Sequence, residues 1–245
     1  MPLTAMRRLL ANGPMVSAMS EPVRVALIGA TGLIGRTVID QAGSYSGIAL
    51  SALARRRPEW LAAAPVKAYV TDVLQWPDLM DEIRPQVLIC AIGTTWRKAG
   101  ADAGRFRQVD HDMVLSLANA AYLRGARHMI VVSAVGASLN SRSFYLRVKG
   151  EVERDLAAMA FARLDILRPG LLRGERQGDR RLLERIGIVA SPITDLPLQG
   201  SLRRYRSIAA ETVARAALNL TQASGEGVRV VHHDEIRAAA EGRIA

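Results

Sequence analysis

Short stretches that are apolar on both faces recur along this chain, and they limit its fold more than any other feature. VRVALIG (23–29), IALSALAR (48–55), VKAYVTDV (66–73), QVLICAIG (86–93), HMIVVSAVG (128–136), LDILRPG (164–170) and VRVVH (228–232) each read as a strand. A strand with one wet face alternates apolar and polar residues, whereas a run that is apolar throughout needs cover on both sides. The intervening segments have helical spacing. TGLIGRTVIDQAG follows the first strand, PDLMDEIRP runs from Pro77 to Pro85, and a long helix over 109–124 ends at Gly125. A further helix contains FYLRVKG, and IAAETVARAALNLTQ (208–222) is amphipathic. Strands alternating with helices predict an α/β fold, a doubly wound parallel sheet of about seven strands.

The chain has 245 residues, of which 49% are hydrophobic and only 4% aromatic, so aliphatic packing must build one large core. Residues 23–245 are expected to form a single domain. The extension 1–22, in which Asn12, Gly13 and Pro14 break up a short apolar stretch behind Arg7-Arg8, reads as disordered and not as a secretory signal. No apolar run reaches the roughly 18 residues that a membrane span requires. Cys90 is the single cysteine, which excludes an intrachain disulfide and makes a reducing, cytoplasmic setting the simplest expectation. Net charge is +10, but the arginines are spread over the chain and not gathered in one stripe. They read first as a solvated surface, and a phosphate-rich small molecule would satisfy the alternative, an anionic ligand, without a nucleic acid. The irregular stretch 173–200, arginine-rich and then proline-containing, suggests a flap on the substrate side, within a segment around 173–207.

Gly29-Ala-Thr31-Gly32-Leu33-Ile34-Gly35 joins the first strand to the first helix. Residues without side chains let backbone N–H groups approach a pyrophosphate at a helix N-terminus, and this strand–turn–helix context is the one such a site needs. A dinucleotide bound there would meet the end of the second strand. A carboxylate at that point suits the ribose of NAD; the chain instead has Arg55-Arg56-Arg57, whose guanidinium groups suit a 2′-phosphate. NADP(H) is therefore expected over NAD(H). Asp72, with Val73 beside it, is placed to accept from the adenine amino group. Ala91, Ile92, Gly93, Thr94 and Thr95, closing the fourth strand, would pass along the phosphates and ribose.

Of the 33 lysines and arginines, only Lys67, Lys98 and Lys149 are lysines. Lys149 lies four residues after Tyr145, hence on the same helix face. An ammonium there favours phenolate, lowering the phenol toward the working range, and offers three donors to ribose hydroxyls. Ser133 ends the strand HMIVVS at the edge where ligands of open α/β sheets bind, and its hydroxyl could reach a carbonyl oxygen beside the tyrosine. Ser138, Ser141 and Ser143 are nearby competitors. The four histidines show no metal-ligand spacing.

With GATGLIG, AIGTTWRKAG, VDHDMV, FYLRVKGEVE and LRPGLLRGERQGDR, the chain resembles atypical short-chain dehydrogenases/reductases, most closely the group containing the animal Tat-interacting tumour-suppressor oxidoreductase. The resemblance implies a Rossmann domain that binds NADP(H), with Ser133, Tyr145 and Lys149 in the catalytic positions. It also implies backbone contacts from Pro169, Gly170, Leu171 and Leu172 to the nicotinamide amide. Ordinary members of the superfamily have an asparagine where this chain has Asp110, which can hold Lys149 but cannot donate when ionised. The leading expectation is an NADPH-dependent reductase of a small-molecule carbonyl. The alternatives are an NADPH-gated regulator with a protein partner and, through the arginine-rich 173–185 segment, nucleic-acid binding.

Overall fold

In the computed structural model, residues 21–93, 102–174 and 198–243 are described. Strands β1 (Val23–Ile28), β2 (Ile48–Ala54), β3 (Lys67–Val70), β4 (Val87–Cys90), β5 (His128–Val132), β6 (Arg163–Leu167) and β9 (Gly227–Val231) pair in the order β3-β2-β1-β4-β5-β6-β9. Every pairing in this seven-stranded sheet is parallel, as the doubly apolar strands predicted. Beyond it, β7 (Leu172–Arg173) and β8 (Ile208–Ala209) form a separate two-stranded parallel pair on either side of the 175–197 segment, which lies outside the described residues. The flap expected there, and most of the arginine-rich 173–185 run, are therefore not placed; neither is the extension 1–20.

Side chains alternate across each strand, so the sheet divides the core into two layers. Val25, Leu27, Val87, Ile89, Ile130 and Val132 point to one side, where α1 (Leu33–Ala42), α7 (Ala210–Leu220) and α8 (His233–Ala240) cover them. Ala26, Ile28, Leu88, Cys90, Met129 and Val131 point to the other. There they meet α3 (Trp76–Ile83), α5 (Met113–Leu123) and α6 (Phe144–Ala158). Each aliphatic side chain so enclosed contributes roughly 1.5–3 kcal/mol, which is how a chain poor in aromatics closes its core. Asp165, wholly buried on β6, is held by His128 Nε2 at 2.8 Å and Arg163 Nε at 2.6 Å. Burial alone would raise its carboxyl, but His128 and Arg163 outweigh that and hold it below the usual carboxylate range.

The strands expected over 66–73, 86–93 and 128–136 end sooner, at Val70, Cys90 and Val132. Past those points the backbone leaves the ladder, and Val73, Ala91, Ile92 and Gly93 line the crevice above the sheet. The helix expected from 109 begins earlier, as α4 (Ala103–Arg107), and passes through a π-helical segment, Gln108–Asp112, before α5. Period counting does not see a π-turn, because the extra residue shifts which positions share a face. The terminal helix α8 was not expected at all.

Candidate functional site

Strands β2 and β3 lie to one side of β1 and β4, β5, β6 and β9 to the other, so the sheet's switch point falls between β1 and β4. In such sheets a crevice opens at the C-terminal ends of the two strands flanking that point. Two glycines shape it. Gly29 has φ +87, and a Cβ there would lie 2.5 Å from the carbonyl carbon of Ala91, so β1 and the end of β4 approach only because that atom is missing. A Cβ on Gly35 would lie 2.2 Å from the Gly29 carbonyl oxygen, which is how closely α1 sits on the turn. Gly32 caps α1, whose first turn carries no acid, leaving N–H groups of that turn to a ligand.

A cavity of about 870 Å³ opens over this turn. It brings together Gly29, Thr31, Gly32, Arg55, Arg56, Val73, Ala91, Ile92 and Gly93, residues scattered over four sequence segments. The other expected contacts are elsewhere. Ile34 is buried in the core, Leu33 packs beside it, and Gly35 serves the turn. The Asp72 carboxylate accepts from Leu74 N–H at 2.9 Å, capping a short 3₁₀ turn rather than facing the cavity. Pro169 is buried, its carbonyl accepting from Val135 N–H at 3.0 Å. Gly170 lies under the Arg206 carbonyl, Leu172 pairs in β7, and Leu171 is exposed. Thr94, Thr95 and Lys98 lie outside the described residues. Sequence reading missed Trp76, Arg105, Gln108, Val109 and Met113, which complete the wall. The last three stand in or beside the π-helical segment, so their common face could not be counted in advance.

Helix α6 starts at Ser143, whose hydroxyl caps Leu146 N–H, and it presents Tyr145, Lys149 and Glu153 at successive turns. Lys149 Nζ lies 3.0 Å from Asp110 Oδ1 and 3.5 Å from the carbonyl oxygen of Ile92, a residue of the cavity wall. Both charges of the pair are buried, the lysine 5% and the aspartate 0% exposed. Flanking polar contacts hold the π-helical segment against α6: an ion pair of Arg107 with Glu151, and a hydrogen bond between His111 Nε2 and Asp155 at 2.9 Å. Tyr145 stands edge-on to Phe106, ring centres 5.8 Å apart.

Electrostatics here run against the simplest expectation. Burial pushes the Tyr145 phenol above its ordinary value; the Lys149 ammonium opposes this and is outweighed, while Asp110 adds to the rise. For Lys149 itself, burial alone would lower the ammonium, but Asp110 and Tyr145 more than offset it, so its value is raised. The expected lowered phenol is therefore corrected: burial outweighs the pull of the lysine's charge. Ser133, buried at the end of β5, donates its hydroxyl to Glu153, which is also gripped by Arg168. The serine thus reaches α6 one turn beyond Lys149. Glu153 was missed, although its place four residues after Lys149 was a usable signal.

A family model described as HIM1 matches residues 64–190 of this chain. The chain belongs to the HIM1 family. Protein fmp52, mitochondrial, of Aspergillus fumigatus is 33% identical over 202 residues, covering 80% of this chain and 85% of its own length. Protein FMP52, mitochondrial, of Eremothecium gossypii is 40% identical over 154 residues, 62% and 67% of the two chains. Those names overturn the cytoplasmic setting expected from a single cysteine, which reports reducing conditions and does not distinguish compartments. Among solved structures, MoeE5 in complex with UDP-glucose and NAD superposes with a TM-score of 0.64 at 17% identity, over 89% of this chain and 81% of that one. A short-chain dehydrogenase/reductase superfamily protein from Agrobacterium tumefaciens with bound NAD gives 0.62 at 15% identity, over 86% and 78%. These likenesses show a shared Rossmann-like α/β fold.

Proposed function

We propose that this protein is an oxidoreductase using a nicotinamide dinucleotide, NADP(H) in preference to NAD(H), to interconvert a carbonyl and an alcohol. The observation that carries the reading is the buried Lys149, aligned with Tyr145 on α6 and bonded to Ile92 at the rim of the glycine-turn cavity. The cavity suits such a cofactor: the Gly29–Gly32 turn and the start of α1 would offer N–H groups to a pyrophosphate, and exposed Arg55 and Arg56, which line the same cavity, would suit a 2′-phosphate. Bound there, the nicotinamide would supply or accept hydride. Tyr145, kept protonated by burial, would give its proton to the carbonyl oxygen as general acid. Lys149 would hold the ribose hydroxyls, and Asp110 would keep that lysine charged and pointed at the rim. Ser133 would serve the carbonyl oxygen only after its hydroxyl turns from Glu153.

Tyr145→Phe is the direct test: dinucleotide affinity should persist while reductase turnover over a carbonyl panel falls by at least about 100-fold. Unchanged turnover refutes the role. Replacing Arg55 and Arg56 by glutamate should weaken NADPH at least tenfold and leave NADH unharmed; equal loss of both would remove the NADP preference. The narrower kinship with the Tat-interacting group rests on the quoted motifs alone. The relatives' names support a mitochondrial setting, to be checked by organelle fractionation of tagged protein.

A second reading, a dinucleotide-gated regulator of a protein partner, is favoured by the Ser133 hydroxyl held on Glu153 and the phenol raised instead of lowered. Tight dinucleotide binding with no consumption over the same panel would select it.

A further inference from the structure

A second cavity, of about 570 Å³, has no part in the reading above. It lies around the side of α6, lined by Gly150, Glu153 and Arg154, whereas Tyr145 and Lys149 do not reach it. Its other walls come from the 136–139 loop after β5, Arg168 after β6, Arg204 and Tyr205 before β8, and His232 after β9. Three arginines, one glutamate and one histidine therefore contribute to its walls. The carboxylate is already engaged at the floor, because Glu153 accepts from both Ser133 and Arg168. Arg154 bonds to Asp155 at 2.7 Å, outside the lining. Arg204 is exposed, its guanidinium over the Tyr205 ring at 5.1 Å. The surplus of positive charge is felt by His232. Burial, then Arg168 and Arg204, hold its imidazole below the ordinary histidine value against the opposing pull of Glu235 and Glu153.

We propose that this cavity binds a small-molecule oxyanion, a carboxylate or phosphate, between Arg204, Arg168 and His232. Guanidinium groups match such anions through paired N–H donors. A volume of this size lies within the range of about 300–1,000 Å³ usual for small-molecule sites and exceeds what a bare phosphate fills. The site is separate from the glycine-turn cavity, and its existence does not depend on the reaction proposed for that cavity.

The test is histidine-selective NMR of the full chain, with the His232 signal identified by His232→Gln. Inorganic phosphate, malonate and glycerol 3-phosphate are titrated in turn at constant ionic strength, with chloride as the baseline. The His232 signal should move saturably and its titration midpoint should rise, because the anion offsets Arg168 and Arg204. Arg204→Ala, a change at an exposed residue, should weaken the effect by about tenfold or more, as loss of a charge-assisted hydrogen bond does. Tighter binding of glycerol 3-phosphate than of phosphate would identify the anionic group of a larger metabolite; equal binding would identify the free ion. No saturable shift with any of the three, or a shift that survives Arg204→Ala, overturns the proposal. So does a shift lost in Arg55→Ala instead, since the anion would then sit at the glycine turn.

Discussion

Asp110→Asn puts the buried pair on trial. At 3.0 Å and an effective dielectric of about 20, the attraction between Lys149 and Asp110 is about 5 kcal/mol. An amide keeps an oxygen that can accept from the ammonium, which returns about 1 kcal/mol, and Lys149 can shed its proton instead of staying charged. A net loss of about 3 kcal/mol at neutral pH is expected, in line with removal of one partner from a buried pair. The pH dependence is the sharper signature. In the parent protein the folded-state value of Lys149 is raised, so the pair's stabilisation is complete below the ordinary lysine range and is lost as pH climbs through the folded value. Without Asp110 the lowering effect of burial is left dominant, the folded state binds fewer protons than the unfolded chain, and the variant gains stability as pH rises. Urea unfolding at about pH 7 and about pH 9.5 should therefore show the difference between the two proteins shrinking. A loss below about 0.5 kcal/mol at pH 7, or a gap independent of pH, would refute the view that Asp110 holds the lysine's charge.

The raised phenol predicts that reductive turnover stays level through neutral and moderately alkaline pH, because the protonated Tyr145 is the working form; oxidation of the alcohol should instead climb over that range. A reductive rate already falling below about pH 9 would point to a lowered phenol. Gly35→Ala should force the turn apart, since the new Cβ would lie 2.2 Å from the Gly29 carbonyl. A cost of about 2 kcal/mol, read as a melting temperature lower by roughly 4–8 °C, should accompany weaker dinucleotide binding; an unchanged melt contradicts the close approach. The Cys90 thiol, buried and pushed up to about 11, should resist an aromatic disulfide reagent in the native protein and react stoichiometrically in denaturant. Rapid native labelling would show that β4 is not sealed.

The glycine turn, the basic pair after β2 and the Tyr145–Lys149 spacing were legible because each depends on near neighbours along the chain. Asp72 and Ser133 show where such reading ends. Each stands at the strand edge expected of it, yet a polar side chain bonds to whatever partner comes within about 3 Å. Asp72 turned to a local cap on Leu74 N–H two residues on, and Ser133 to Glu153 twenty residues away. Glu153 itself looked like one more acid on a helix until Arg168, from another strand's end, closed on it.

Local pattern along the chain was enough to specify the parallel sheet, the two covering layers and the turn on which a phosphate could sit, because apolar periodicity and glycine act over a few residues. The balance of charges came from packing. Lys149 is paired with Asp110 of the π-helical segment, the phenol rises instead of falling, and Arg168 and His232, each just past a strand, line one cavity with Arg204 of a 3₁₀ turn. Burial and the distances between groups far apart in the chain set those balances, and both exist only once the layers have packed.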